Sequence, residues 1–296
     1  MTERAHLRGV TLIELVIVMT LLGILAAVAA VALTDPIKAY GDSIKRAELT
    51  DLTDASLRRV GRDIRRALPN SPRVSQSGNI FYLELLLTRT GGRYRAQGPG
   101  NALDFSSADT QFDSIGPLSQ IPDQVPQVND ILVVHNLFSS ASAEANAYTY
   151  AQAGYGCAAV TYATTCNSAR ITSVTQGAGF TTLTFASRQF PLTSPGNRFS
   201  VVEGPVTYIC SGGGVDSNGD GVGALRRVSG YPVAFVQPTA FGNNPALLAD
   251  HVSNCQIDYD PLVLNQSLGL VTLRLELSRG GETVRIYHEV HVSNIP

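Results

Sequence analysis

From Val10 to Leu33 the chain runs 24 residues with one charge, Glu14, and from Leu15 to Leu33 with none. At about 1.5 Å per residue, such a run predicts a helix that crosses a hydrocarbon core of roughly 30 Å. Pro36 follows and is expected to kink the helix by removing one internal hydrogen bond. Beyond it Leu49, Leu52, Ser56, Val60, Ile64 and Leu68 recur at three- or four-residue steps. That spacing is an amphipathic stripe that can dock on a sheet. Leu68-Pro69-Asn70-Ser71-Pro72 closes it, so one long helix is expected over 10–68.

The pattern then changes. Short runs rich in Val, Leu, Tyr and Phe, bounded by Gly, Pro or Asn, predict strands. They are Ile80–Thr88, Ile131–Phe138, Phe180–Ala186, Arg198–Val202, Val206–Cys210, Leu225–Val228, Val252–Tyr259, Leu270–Ser278 and Thr283–Val292. The last two flank Arg279-Gly280-Gly281-Glu282 and read as a hairpin. Stretches 97–130, 139–169 and 237–248 read as loops or insertions. The expected fold class is α+β: a long apolar helix packed on an antiparallel sheet in a head over 69–296.

Composition sharpens this picture. Only 16% of the 296 residues are charged and the net charge is −2, which leaves no general electrostatic footprint for nucleic acid. Arg58, Arg59, Arg62, Arg65, Arg66 and Arg73 form a local basic cluster. No aromatic residues interleave with them to stack bases, so a solvated helix end is the simpler reading. Arg4 and Arg8 precede the apolar run and predict a cytoplasmic N-terminus with an exported remainder. Four cysteines beyond a membrane segment fit disulfides in an oxidising compartment.

Glu14 needs a reason, because a carboxylate within an apolar span costs about 2.5–3.5 kcal/mol. A secretory signal peptide, with cleavage after Ala27-Val28-Ala29 or Ala30-Val31-Ala32, offers none. The run Arg8-Gly9-Val10-Thr11-Leu12-Ile13-Glu14-Leu15-Val16 resembles the leader of type IV pilins and type II secretion pseudopilins. That resemblance implies a leader over 1–9, cut by prepilin peptidase between Gly9 and Val10, and N-methylation of Val10. Phe is usual at that position in the family. Glu14 becomes the fifth mature residue, whose carboxylate pairs with the amine of a neighbouring subunit during assembly. Implied partners are the peptidase, the inner-membrane assembly machinery and other major and minor pilins. The implied location is the bacterial inner membrane, head in the periplasm, and then the pilus.

Arg65–Val74, Gly92–Ala96, Ser194–Phe199, Gly204–Cys210 and His288–Pro296 resemble one branch, the large minor pilin-like proteins of MSHA (mannose-sensitive haemagglutinin) pilus biogenesis, in particular its O component. This implies a minor subunit that assists assembly or caps the tip. Two rivals stand beside it. One is a J-like type II secretion pseudopilin. The other is a tip adhesin that binds a surface glycan through loops carrying Tyr148, Tyr150, Tyr155 and Tyr162.

The four cysteines admit three pairings. The preferred one joins Cys157 to Cys166, within an insertion, and Cys210 to Cys255, at two strand ends. Asp216, Asn218 and Asp220 match the first half of a calcium loop, making calcium the one candidate cofactor. Arg227 replaces the twelfth-position glutamate, so an EF-hand is excluded and a polar hairpin turn is the alternative. His288 and His291, three apart on a strand, face opposite sides and do not share a metal. No catalytic motif is present, and a non-enzymatic structural role is expected.

Overall fold

The computed structural model describes residues 9–139, 145–151, 166–242, 245–264 and 268–295. The chain forms two units, Met1–Glu48 and Leu49–Pro296. Helix α1, Leu12–Arg65, begins in the first and ends in the second, and its helical backbone runs through Pro36. It stops before the expected Leu68 because strand pairing captures the chain there. The Leu68 N–H donates to Leu86 O at 2.8 Å and the Thr88 N–H donates to Arg66 O at 2.9 Å.

The second unit is an α+β head. The strands are β1 (Arg73–Ser77), β2 (Ile80–Arg93), β3 (Asp109–Asp113), β4 (Ile131–Val133), β5 (Ser168–Gln176), β6 (Thr181–Arg188), β7 (Arg198–Ser211), β8 (Gly223–Ser229), β9 (Ala246–Leu264), β10 (Leu268–Arg279) and β11 (Glu282–Ser293). All the ladders between them are antiparallel.

Strand β7 is the trunk. One edge pairs with β2 along nearly its whole length. Its other edge pairs first with β4, through Ser200–Val202, and then with β8, through Val206–Ser211. Gly204 (φ 149°) and Pro205, which has no N–H to donate, sit where the partner changes. The sheet therefore divides into two wings, β8-β9-β10-β11 and β4-β5-β6-β3.

Each wing has its own core. The C-terminal part of α1 buries Leu49, Leu57, Val60 and Ile64 in one core with Leu83 and Leu85 of β2, Val206 and Tyr208 of β7, and Leu273, Leu275 and Val290 of the first wing. The second wing closes over an aromatic cluster of Tyr94, Phe112, Phe185, Phe190 and Phe199. Ring centroids there lie 5.0 Å apart for Phe112–Phe199 and 5.6 Å for Phe185–Phe190, both edge-to-face, the favoured aromatic geometry.

Several expectations change. The candidates Arg198–Val202 and Val206–Cys210 are one strand, β7, because Gly204-Pro205 bends the chain without ending it. The Ile131–Phe138 candidate shortens to β4. The stretch 97–130 contains β3 and a 3-10 turn at Pro122–Gln124. The stretch 139–169 contains a 3-10 turn at Ala147–Ala151 and the start of β5, and 237–248 contains the start of β9.

Candidate functional site

The first unit carries the candidate site. Gly9 and Val10 precede the helix, and Val10 is 72% exposed. The bond between them is thus non-helical and open, as a peptidase requires. Thr11 and Glu14 then close the helix on itself. The Thr11 N–H and Oγ1–H both donate to Glu14 Oε2 at 3.2 Å, and the Glu14 N–H donates to Thr11 Oγ1 at 3.3 Å. This reciprocal exchange is a capping box, which satisfies orphan backbone donors and sets a carboxylate against the positive helix end.

Beyond the cap, Leu12 to Leu33 present their apolar side chains outward: Leu12 is 83% exposed, Leu22 59%, Val31 63%. The helix is long and apolar enough to cross a membrane, and none of its most apolar stretch is buried within the chain. So large an apolar surface needs lipid or other protein to cover it.

A helix of this kind, capped by a carboxylate and joined to an antiparallel β head, has the pilin-like arrangement. The prokaryotic N-terminal methylation motif matches residues 4–30. The motif indicates a type IV pilin-like or pseudopilin substrate of prepilin peptidase, a structural class anchored through its apolar helix. No curated protein and no solved structure matches the chain.

The other candidate residues fall as follows. Arg4 and Arg8, with the rest of the leader before Gly9, lie outside the described residues. Asp216, Asn218 and Asp220 form a tight turn. Asp216 Oδ1 accepts the N–H groups of Asn218 at 2.8 Å and Asp220 at 2.9 Å, and Asp220 Oδ1 accepts the Gly280 N–H at 2.6 Å. These backbone bonds hold the Asp216 carboxyl below its ordinary range. The turn thus directs its carboxylates to backbone, and among the described residues no cluster of three His, Cys, Asp or Glu side chains could hold a metal.

His288 and His291 fall on alternate faces of β11, half-buried and exposed respectively. Cys210 and Cys255 form a disulfide between β7 and β9, Cα atoms 6.1 Å apart. Cys166 is also disulfide-bonded, and Cys157 lies outside the described residues. Tyr148 and Tyr150 are core residues: the Tyr148 O–H donates to Ser71 O at 3.0 Å, and the Tyr150 phenolic oxygen accepts from Arg170 Nε–H at 3.0 Å. Neither presents a ring to a ligand, while Tyr155 and Tyr162 lie outside the described residues.

The basic cluster disperses. Arg58 pairs with Asp54 at 2.7 Å on the helix surface. Arg66 points toward Glu203 at 3.8 Å and donates to Thr88 O at 3.1 Å. Arg73 turns inward: its Nε donates to the buried Glu84 at 2.6 Å, and its guanidinium lies 3.6 Å from the centre of the Tyr148 ring. Burial still pushes the Glu84 carboxyl above its ordinary range, against the pull of Arg73 and of the Tyr231 hydroxyl.

One polar cluster escapes sequence reading entirely. Asp63 on α1, Tyr208 on β7 and Arg227 on β8 meet in the helix–sheet interface. Asp63 Oδ2 accepts the Tyr208 O–H at 2.7 Å and the Arg227 Nε–H at 2.8 Å. Burial and the Asp63 carboxylate push the Tyr208 phenol up, so it stays a donor.

Proposed function

We propose that the chain is a minor type IV pilin-like subunit of the MSHA-type branch, cut between Gly9 and Val10 and methylated at Val10. It is held in the inner membrane by residues 10–33 with its head in the periplasm, and enters a pilus or its tip or priming complex. The observation that carries this reading is the Thr11–Glu14 cap on a helix whose apolar N-terminal half is exposed. Within one chain the Glu14 carboxylate serves its own helix end. In an assembly it faces the new Val10 amine of a neighbour, and the attraction of those opposite charges strengthens in an apolar core.

The two-winged head favours a minor role. A bulk subunit repeats along the shaft, and the added wing β4-β5-β6-β3 makes such close repetition sterically harder than placement at an end. The buried Tyr148 and Tyr150 weaken the adhesin alternative.

The test is replacement of Glu14 by Ala in the native host. The expected result is normal cleavage and membrane insertion with loss from the sheared pilus fraction. Normal incorporation of E14A would overturn the role given to Glu14.

A further inference from the structure

Two arginines in the head stand apart from the others. Arg93 ends β2 and Arg198 begins β7, and the two are directly paired across the ladder. Like charges in that position destabilise a sheet. Other arginines near the trunk have acidic partners: Arg89 meets Asp130 at 2.7 Å, Arg73 meets Glu84 and Arg227 meets Asp63. Among the described residues neither Arg93 nor Arg198 makes an ion pair or a side-chain hydrogen bond. Both are exposed, yet they converge. A Cβ built on Gly196 would lie 3.4 Å from Arg93 Nη2 and 3.9 Å from Arg198 Nε, so both nitrogens border one point.

The two arginines also line a cleft of about 370 Å³ together with Pro69, Phe199 and Ile295. A smaller cavity of about 20 Å³ adjoins it, sharing Pro69, Arg198, Phe199 and Ser200 and adding His135. His135 holds a left-handed backbone (φ 56°), and its Nδ1 is buried with no hydrogen-bond partner. A buried polar atom left unpaired points to a missing partner, and this cavity is large enough for one water.

We infer that Arg93 and Arg198 form a receptor for a single carboxylate on an organic group. A guanidinium presents parallel N–H donors that match two carboxylate oxygens, and one carboxylate between the two arginines relieves part of their mutual repulsion. The apolar walls suit the group that bears the carboxylate. A water in the smaller cavity links His135 Nδ1 to the same site. The carboxylate is that of an acidic residue on a partner protein, whose charge complements the two unpaired arginines and whose apolar neighbours meet Pro69, Phe199 and Ile295. This inference stands apart from the assembly role of α1.

The probe is 4-fluorobenzoate, followed by ¹⁹F NMR line broadening with the full chain in detergent micelles at moderate salt. 4-Fluorobenzamide and 4-fluorophenyl phosphate are the comparison probes. The benzoate is expected to bind and the benzamide not. R93Q and R198Q should each weaken binding by at least about tenfold, whereas R62Q on the helix surface should not. Far-ultraviolet circular dichroism checks that each variant is folded. No binding of the benzoate, undiminished binding by R93Q and R198Q, or tighter binding of the phosphate would overturn the inference.

Discussion

Replacing Asp63 by Ala removes the acceptor that ties α1 to the sheet. The Asp63 side chain is 4% exposed and that of Arg227 17%. The substitution strands the Arg227 guanidinium and the Tyr208 phenol in the interface. Breaking a buried ion pair by removing one partner costs about 3–5 kcal/mol. Two secondary contacts soften the loss. Arg227 Nη1 donates to Ser229 Oγ at 3.2 Å, and the Tyr208 O–H reaches Arg59 O at 3.5 Å. The lower end, about 3 kcal/mol, is therefore expected. For a unit of this size each kcal/mol moves the melting temperature by about 2–4 °C, so D63A should melt roughly 6–12 °C below the parent. The assay is thermal unfolding of the full chain in detergent micelles, followed by near-ultraviolet circular dichroism of its tyrosines. The paired change Asp63→Leu with Arg227→Met should recover most of the loss, because it leaves no unpaired charge. A D63A chain melting within about 2 °C of the parent would refute the fastening role of this cluster.

Two further predictions concern the head. Replacing Cys210 and Cys255 by Ala opens a loop with a sequence separation of 45, a loss of about 4 kcal/mol on chain-entropy grounds. Unfolding by urea under non-reducing conditions should show it as a lower midpoint, and an unchanged midpoint would contradict it. The Glu84 carboxyl is raised from 4.5 by burial, so its contribution to stability is full below its ordinary value and is lost as pH rises through the raised one. The stability advantage of the parent over E84Q should accordingly shrink from acidic toward neutral pH. An advantage that grows with pH would show Arg73 outweighing burial.

What the sequence made legible follows the strength of the local pattern. The long helix stands out because one continuous apolar run and one stripe define it, and the β10–β11 hairpin because Leu270–Leu277 alternates cleanly. Strands β1, β3 and β5 were missed for a shared reason. Arg73–Ser77, Asp109–Asp113 and Ser168–Gln176 are short of large apolar residues, and ladder partners stabilise them more than local preference does.

Gly204-Pro205 reads locally as a break, and only the change of pairing partner along β7 shows it as a bend. The Thr11–Glu14 cap has a sequence signal, a threonine three residues before a glutamate at the start of an apolar run, and the same two positions lie inside the leader motif. Asp63 and Arg227 are 164 positions apart, and no local signal joins them. In the local sequence Arg227 is only the wrong residue for a calcium loop, whereas in the fold it holds the helix through Asp63. Tyr148 and Tyr150 read as exposed loop aromatics for the same reason, since burial against Ser71 and Arg170 is a property of the fold.

The central claim is that the apolar helix begins at a processed Val10 and serves assembly through Glu14. Mass spectrometry of the mature N-terminus from membranes of the native host tests it most directly. The expected product is a chain that starts at N-methylated Val10. A chain that starts at Ala30 or Leu33, with the apolar run removed, would contradict it.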